Sequence, residues 1–303
     1  AASSHPALAA DYPTKPVRII VPFPAGAAAD GSTRAIARKL SEDWGKPVIV
    51  DNRPGIPGMQ AAANAPADGY TLVLGSGASM VTSPLTMPNL PYSPQKDFAP
   101  VSLGVTNPPI LTTHPSLGVK SVKELIALAR SKPGALNYSS SGTAGPFHLG
   151  MELFMAMTGT SMVHVPYKGG APAVADLIGG QVQLGFNTIP TVMPHVKAGK
   201  LTPIGVGTAR RARAAPDLPS ISETVPGFDY SIWYGYFAPA RTPATIVNKV
   251  SADIARALAE PDVVQQLQGS EPAPTTPQEL ARYIREDTAR WAKVVKERNL
   301  KVE

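Results

Sequence analysis

Two short stretches of small residues could do chemistry without any reactive side chain. Pro22–Asp30 reads PFPAGAAAD and Ser139–Gly145 reads SSSGTAG. Each lies where an apolar run ends and a helical pattern begins. The first N–H groups of a helix have no intrahelical acceptor, and about half a positive charge collects there. A helix start of this kind binds carboxylate or phosphate without Lys or Arg, provided small side chains let the anion reach the backbone. Phe23, Pro24, Ala25, Gly26, Ala27 and Ala28 make the first candidate loop, and Ser139, Ser140, Ser141, Gly142 and Thr143 the second, which adds hydroxyls. Facing each other across a cleft, the two would clamp a small anion from both sides. A third turn, GSGAS at Gly75–Ser79, adds Ser76. The plainer alternative is that Gly and Ser after a strand are turn residues and nothing more.

The side chains near these loops have two readings each. Asp30 suits a helix start that bonds local N–H groups, or a ligand contact. His148, one turn into its helix, is either packing or site. Lys168, before Gly169 and Gly170, is either a surface lysine or an anion contact. Trp233, Tyr234 and Tyr236 suit a core or hinge better than a stacking platform. No G-x-S-x-G, H-E-x-x-H or G-x-x-x-x-G-K-[ST] motif occurs. No histidine pairs at ligand spacing with another histidine or a carboxylate on an evident helix face, so neither metal nor cofactor is expected. A serine nucleophile among Ser139–Ser141 would need a base that the local sequence does not supply.

The elements that must position these residues alternate strand and helix. Val17–Pro22 is a β-branched buried strand, and Thr33, Ile36, Ala37, Leu40 and Trp44 share one face of the helix that follows. Gly45 and Pro47 stop that helix, and Val48–Val50 is the next strand, giving a βαβ unit and hence a parallel sheet. Thr71–Leu74 is a further strand. A second series begins near residue 110, with a helix over Val122–Ser131 opened by a Ser121/Glu124 capping box. Strands follow at Leu136–Tyr138, Met162–Val165, Val182–Phe186 and Leu201–Gly205, interleaved with helices at Pro146–Met157, Ala171–Ile178 and Thr191–Lys197. A third section from Tyr230 holds an aromatic strand and two long helices, the last opened by Thr276, Pro277 and Glu279.

The chain has 303 residues and no Cys, which excludes disulfides, thiolate metal sites and thiol nucleophiles. Its net charge of +6 is a mild excess suited to small anions. No dense Lys/Arg stripe interleaved with aromatics appears, so nucleic acid is not an expected partner. No apolar run is long enough to span a membrane. Residues 1–11, AASSHPALAAD, resemble the tail around a signal-peptidase site and are read as a leader remnant or flexible tail.

Beyond these local patterns, KPVRIIVPFPAGAAAD (Lys15–Asp30), DNRPG (Asp51–Gly55), DGYTLVLGS (Asp68–Ser76) and KDFAPVS (Lys96–Ser102) resemble the Bug-type extracytoplasmic solute receptors of tripartite tricarboxylate transporters. The resemblance continues through Val119–Gly142, Val163–Val182 and Trp233–Pro243, from Tyr12 nearly to the C-terminus. It implies an α/β fold of the periplasmic binding protein type II kind, two α/β lobes with a ligand cleft between them. Residues 12–109 and 230–303 would form lobe 1 and residues 110–229 lobe 2. It also implies a periplasmic receptor that captures a small carboxylate and delivers it to a membrane permease; a monomer is expected. In the family, the loops equivalent to Phe23–Asp30 and Ser139–Gly142 hold the ligand carboxylate.

Two positions depart from the family pattern. Ala27 and Ala28 stand where paired glycines are common, and their methyl groups disfavour positive φ. Asn187 follows the apolar strand where an acidic residue is common; a neutral carboxamide does not balance a ligand ammonium. The expected ligand is therefore a mono- or dicarboxylate, aromatic ones included, without an amino group. The rival readings are a protein that presents its ligand to a membrane signalling partner and a hydrolase using Ser139–Ser141.

Overall fold

The computed structural model describes residues 12–143, 145–267 and 269–297; the expected leader remnant, residues 1–11, lies outside them. The chain divides into two compact units. One runs to Thr106 and resumes at Trp233–Trp291; the other is Asn107–Ile232 with the last turns of the C-terminal helix from Ala292. The divisions fall inside two strands, Phe98–Asn107 and Ile232–Pro239. The helix end from Ala292 groups with the second unit instead of the first.

The first unit begins β1 (Val17–Val21), α1 (Ala28–Trp44), β2 (Val48–Asn52), α2 (Ile56–Ala63) and β3 (Thr71–Ser76). A π-helical turn, Ala78–Thr82, then runs into α3 (Ser83–Thr86), followed by α4 (Pro94–Asp97) and β4 (Phe98–Asn107). The second unit follows with β5 (Pro109–Thr113), α5 (Val122–Ser131), β6 (Asn137–Ser140), α6 (Pro146–Thr158), β7 (Val163–Pro166), α7 (Gly170–Ile178), β8 (Leu184–Thr188), α8 (Ile189–Lys197) and β9 (Thr202–Val206). The chain returns to the first unit through β10 (Ile232–Pro239), α9 (Ala244–Ala259), α10 (Pro261–Gln266), the short β11 (Glu271–Pro272) and α11 (Pro277–Glu297).

In the first unit the sheet order is β11-β4-β10-β3-β1-β2. β1 lies parallel to both β2 and β3, which requires cover on both faces and accounts for its apolar Ile19–Val21. Ile36 and Leu40 of α1, with Val250 and Ile254 of α9, pack on Ile19, Val21, Leu72 and Leu74. In the second unit the order is β7-β6-β8-β5-β9, with β6 parallel to β7 and β8. Val174, Leu177 and Val192 pack with Ile110 and Val206 there.

Several strands sit one or two residues later than periodicity places them. The consequential case is β6, which extends through Ser139 and Ser140, because Ser139 pairs with Val165 and Gly185, and Ser140 with Pro166. Serine is a turn former by local preference, and here two parallel neighbours override it. A Cβ at Gly185 would lie 2.9 Å from the Ser139 hydroxyl and 3.0 Å from its carbonyl oxygen. Gly185→Ala is therefore expected to lower stability by about 1–3 kcal/mol through overpacking, read as a shift of the urea midpoint. An unchanged midpoint would show that β6 and β8 are less closely packed.

Candidate functional site

The first candidate loop is organised from behind by one buried carboxylate. Asp30, 3% exposed, sits in the first turn of α1. Its carboxylate accepts the Gly26 N–H at 2.8 Å, Arg34 Nε at 3.0 Å and Asn52 Nδ2 at 2.9 Å. Asn52, at the end of β2, also donates to the Phe23 carbonyl at 3.2 Å. Burial pushes the Asp30 carboxyl up, but the bonds from Arg34, Gly26 and Asn52 and the Arg34 charge outweigh it, holding it below the usual carboxylate range. Asp30 thus bonds the backbone of its own loop, and the Gly26 N–H is already used. The Gly31 N–H to Ala27 carbonyl bond at 2.9 Å is the first helical one, so the amides of Ala28 and Ala29 precede the helical ladder.

Ala27 has φ −67° and ψ 157°, extended backbone open to any residue. The one left-handed residue in this loop is Gly26, at φ 83°. The alanines therefore strain nothing, against the expectation from the missing glycine pair. Pro24, Ala25, Gly26 and Ala28 are exposed, while Phe23 is half-buried and packs edge-on against Tyr234 with ring centroids 5.3 Å apart. Ser76 is buried, exchanging hydrogen bonds with Ser79. It lines a mostly apolar cavity of about 170 Å³ together with Phe23, Ile56, Met59 and Tyr92.

The second loop is organised from behind by a buried hydroxyl. The Ser140 Oγ lies 2.6 Å from His164 Nε2, accepts the Gly142 N–H at 3.2 Å and lies 3.0 Å from the Gly142 carbonyl. Gly142 has φ +144°, a conformation that L side chains rarely adopt. Ser139 and Ser140 are each 1% exposed. Ser141 and Gly142 are half-buried and Thr143 is exposed. His164 is the base that the local sequence did not supply, and the enclosed Ser140 hydroxyl beside it also bonds Gly142.

His148 corrects the expectation that no histidine pairs with a carboxylate on a helix face. On α6 it lies four residues before Glu152, with His148 Nε2 3.5 Å from a Glu152 oxygen, and its ring stacks on His164 at 3.9 Å. It is buried packing beneath the loop. Asn187 is buried too, its amide donating to the Thr112 hydroxyl and the Gly185 carbonyl, both at 3.3 Å. Lys168 is exposed in the bend between β7 and α7 and pairs with no carboxylate among the described residues. Among those residues no His, Cys, Asp and Glu group could hold a metal ion, and no helix is long and apolar enough to cross a membrane. Sequence reading missed Arg34, Asn52, Tyr138, Glu152 and His164. The i, i+4 spacings of Asp30 with Arg34 and of His148 with Glu152 were the available signals; Asn52, Tyr138 and His164 are brought in by strands distant in sequence.

A family model described as tripartite tricarboxylate transporter family receptor matches residues 32–300. Protein BugT of Bordetella pertussis is 36% identical over 304 residues, covering 98% of this chain and 93% of its own length. The solved structure of R. palustris Rpa4515 with adipate superposes with a TM-score of 0.78 at 37% identity, covering 94% of this chain and 97% of that one. MatC (Rpa3494) from Rhodopseudomonas palustris with bound malate gives 0.74 at 30% identity, covering 94% and 100%. The two α/β units carry the two-lobe fold of solute-binding proteins.

Two pH effects follow from these environments. The lowered Asp30 carboxyl contributes stability above its unfolded value, about pH 3.9, and that contribution is lost as pH falls through the folded value. Asp30→Ala should cost about 1–3 kcal/mol at neutral pH, from buried donors left unpaired. The gap in urea midpoint to the unaltered chain should close in acid; a gap constant with pH would contradict the assignment. Burial and the neighbouring His148 push the His164 imidazole down to about 4, against an opposing pull from Glu152. The unfolded chain takes up that proton near pH 6.5, so the stability contribution is complete above about 6.5 and falls as pH drops toward 4. In His164→Gln this part of the stability profile should flatten, and an unchanged slope would contradict it.

Proposed function

The chain belongs to the tripartite tricarboxylate transporter receptor family, and from that premise we propose that it is a periplasmic, monomeric receptor that captures a small organic acid and delivers it to the permease of such a transporter. The adipate and malate in the two R. palustris structures support an organic acid as the ligand class. The observation that carries the reading is how the first loop is built. Its backbone is fixed from behind by Asp30, and the exposed Ala28 begins a helix whose leading amides have no helical acceptor. A carboxylate arriving there exchanges its hydration for fixed donors at the positive end of α1.

In this reading the second loop offers the Ser141 and Thr143 hydroxyls and backbone donors to a carboxylate. The receptor works by binding alone: no side chain is assigned a catalytic role. Hydrogen bonds to an ionised acceptor contribute about 1.5–3 kcal/mol each. Micromolar affinity corresponds to about −8 kcal/mol, which several such bonds must supply over the costs of association and desolvation. Position 187 holds a carboxamide whose amide is engaged within the second unit. It provides no counter-charge for an ammonium group, so plain dicarboxylates should bind better than amino acids.

Calorimetric titration of the chain with adipate, malate, aspartate and glutamate tests this. Micromolar binding of adipate or malate, with aspartate and glutamate weaker, is the expected result. A ligand at about 100 times its dissociation constant should also add about 2.7 kcal/mol of stability. Tighter binding of the amino acids would overturn the ligand class, and conversion of the bound acid into product would overturn the receptor role.

A further inference from the structure

The second loop stands on a buried polar stack that the binding of a carboxylate does not itself require. In the parallel β6–β7 pair, Tyr138 is opposite His164, which puts Tyr138, Ser140 and His164 on one face of the sheet. The His164 ring stacks on His148 of α6 at 3.9 Å and on Tyr138 at 5.0 Å. Glu152, on the next turn of α6, accepts the Tyr138 hydroxyl at 2.8 Å and lies 3.5 Å from His148 Nε2. Tyr138, His148 and Glu152 are all buried. The stack holds the His164 ring with Nε2 against Ser140.

One assignment of protons accounts for every bond at Ser140. With the His164 proton on Nε2, that N–H donates to the Ser140 oxygen, as does the Gly142 N–H, and the hydroxyl donates to the Gly142 carbonyl. Two acceptances and one donation fill the capacity of a serine hydroxyl. The opposite tautomer would draw the hydroxyl proton to the ring and leave the Gly142 carbonyl without it. The histidine therefore fixes the direction of the hydroxyl, and the hydroxyl fixes both the N–H and the carbonyl of Gly142, a residue at φ +144°.

We propose that His164 is a positioning residue of this receptor: acting through the Ser140 hydroxyl, it sets the backbone orientation of Gly142 and so the affinity of the second loop for a carboxylate. This rests on the reading that Ser141–Thr143 meets the ligand. Gln at position 164 can keep an N–H donor near the place of Nε2, whereas Leu fills space without a donor. Ser140→Ala removes the relay itself.

The test is adipate and malate titration of the full chain carrying His164→Gln, His164→Leu, Ser140→Ala, and the Leu and Ala changes together. Alongside it, the Gly142 amide resonance is followed by NMR without ligand. His164→Leu and Ser140→Ala should each weaken binding about tenfold and shift the Gly142 amide. His164→Gln should stay within about threefold of the unaltered chain, and the double variant should bind no more weakly than the weaker single one. Equal losses for Gln and Leu, multiplying losses in the double variant, or an unmoved Gly142 amide would overturn the proposal. A shifted amide with unchanged affinity would overturn the ligand role of the loop, and the inference with it. An unaltered chain that binds neither acid would overturn the functional reading itself.

Discussion

Both candidate loops depend on the same constraint, a buried polar side chain that bonds to the backbone of its own loop from behind. In the first unit it is the Asp30 carboxylate on the Gly26 N–H, backed by Arg34 and Asn52. In the second it is the Ser140 hydroxyl on both polar groups of Gly142, backed by His164. Each side chain is almost fully enclosed, and a polar group so placed is tolerated only with its bonds made. Each loop thereby gains a preferred backbone geometry before any ligand arrives. Pre-organisation of this kind lowers the ordering cost that binding otherwise meets.

The electrostatics of the first loop follow from that arrangement. A carboxylate in the first turn of a helix is favourable to the helix, but it also places a negative charge close to where an anion would bind. The Arg34 guanidinium, 3.0 Å from Asp30, offsets that charge and is itself half-exposed. In the proposed reading, an incoming acid would meet the leading amides of α1 beside an ion pair rather than beside a bare carboxylate. Bulk charge has little part in this: +6 over 303 residues is a weak field, and the donors that matter are main-chain groups.

Much of this was legible in the amino-acid order, and the failures have physical causes. The β1–α1–β2 unit, the turn over Phe23–Ala28 and the family resemblance follow from residue type and local pattern. Ser139 and Ser140 read as turn because serine favours turns, yet pairing with both β7 and β8 draws them into a strand. The His148–His164 stack escaped because it joins a helix to a strand through β6–β7 register, which periodicity along one element does not encode. Ala27 and Ala28 stand where the family pattern has glycines; here the left-handed residue is Gly26, and Ala27 is simply extended. Asp30 left two readings open, a helix start or a ligand contact; what the order of residues could not show is that Asn52, from the end of β2, bonds to it.

The central claim is that main-chain amides, rather than a reactive or charged side chain, grip the organic acid. Ala28 permits a direct measurement. It is the first residue of α1, where proline is well tolerated, and Ala27 already has the extended conformation that a following proline requires. Ala28→Pro therefore deletes one N–H while sparing the helix. Calorimetric titration with adipate should show binding weakened roughly tenfold or more, as for loss of one charge-assisted hydrogen bond, with the urea midpoint unchanged. Unaltered affinity in a stably folded Ala28→Pro chain would contradict the account.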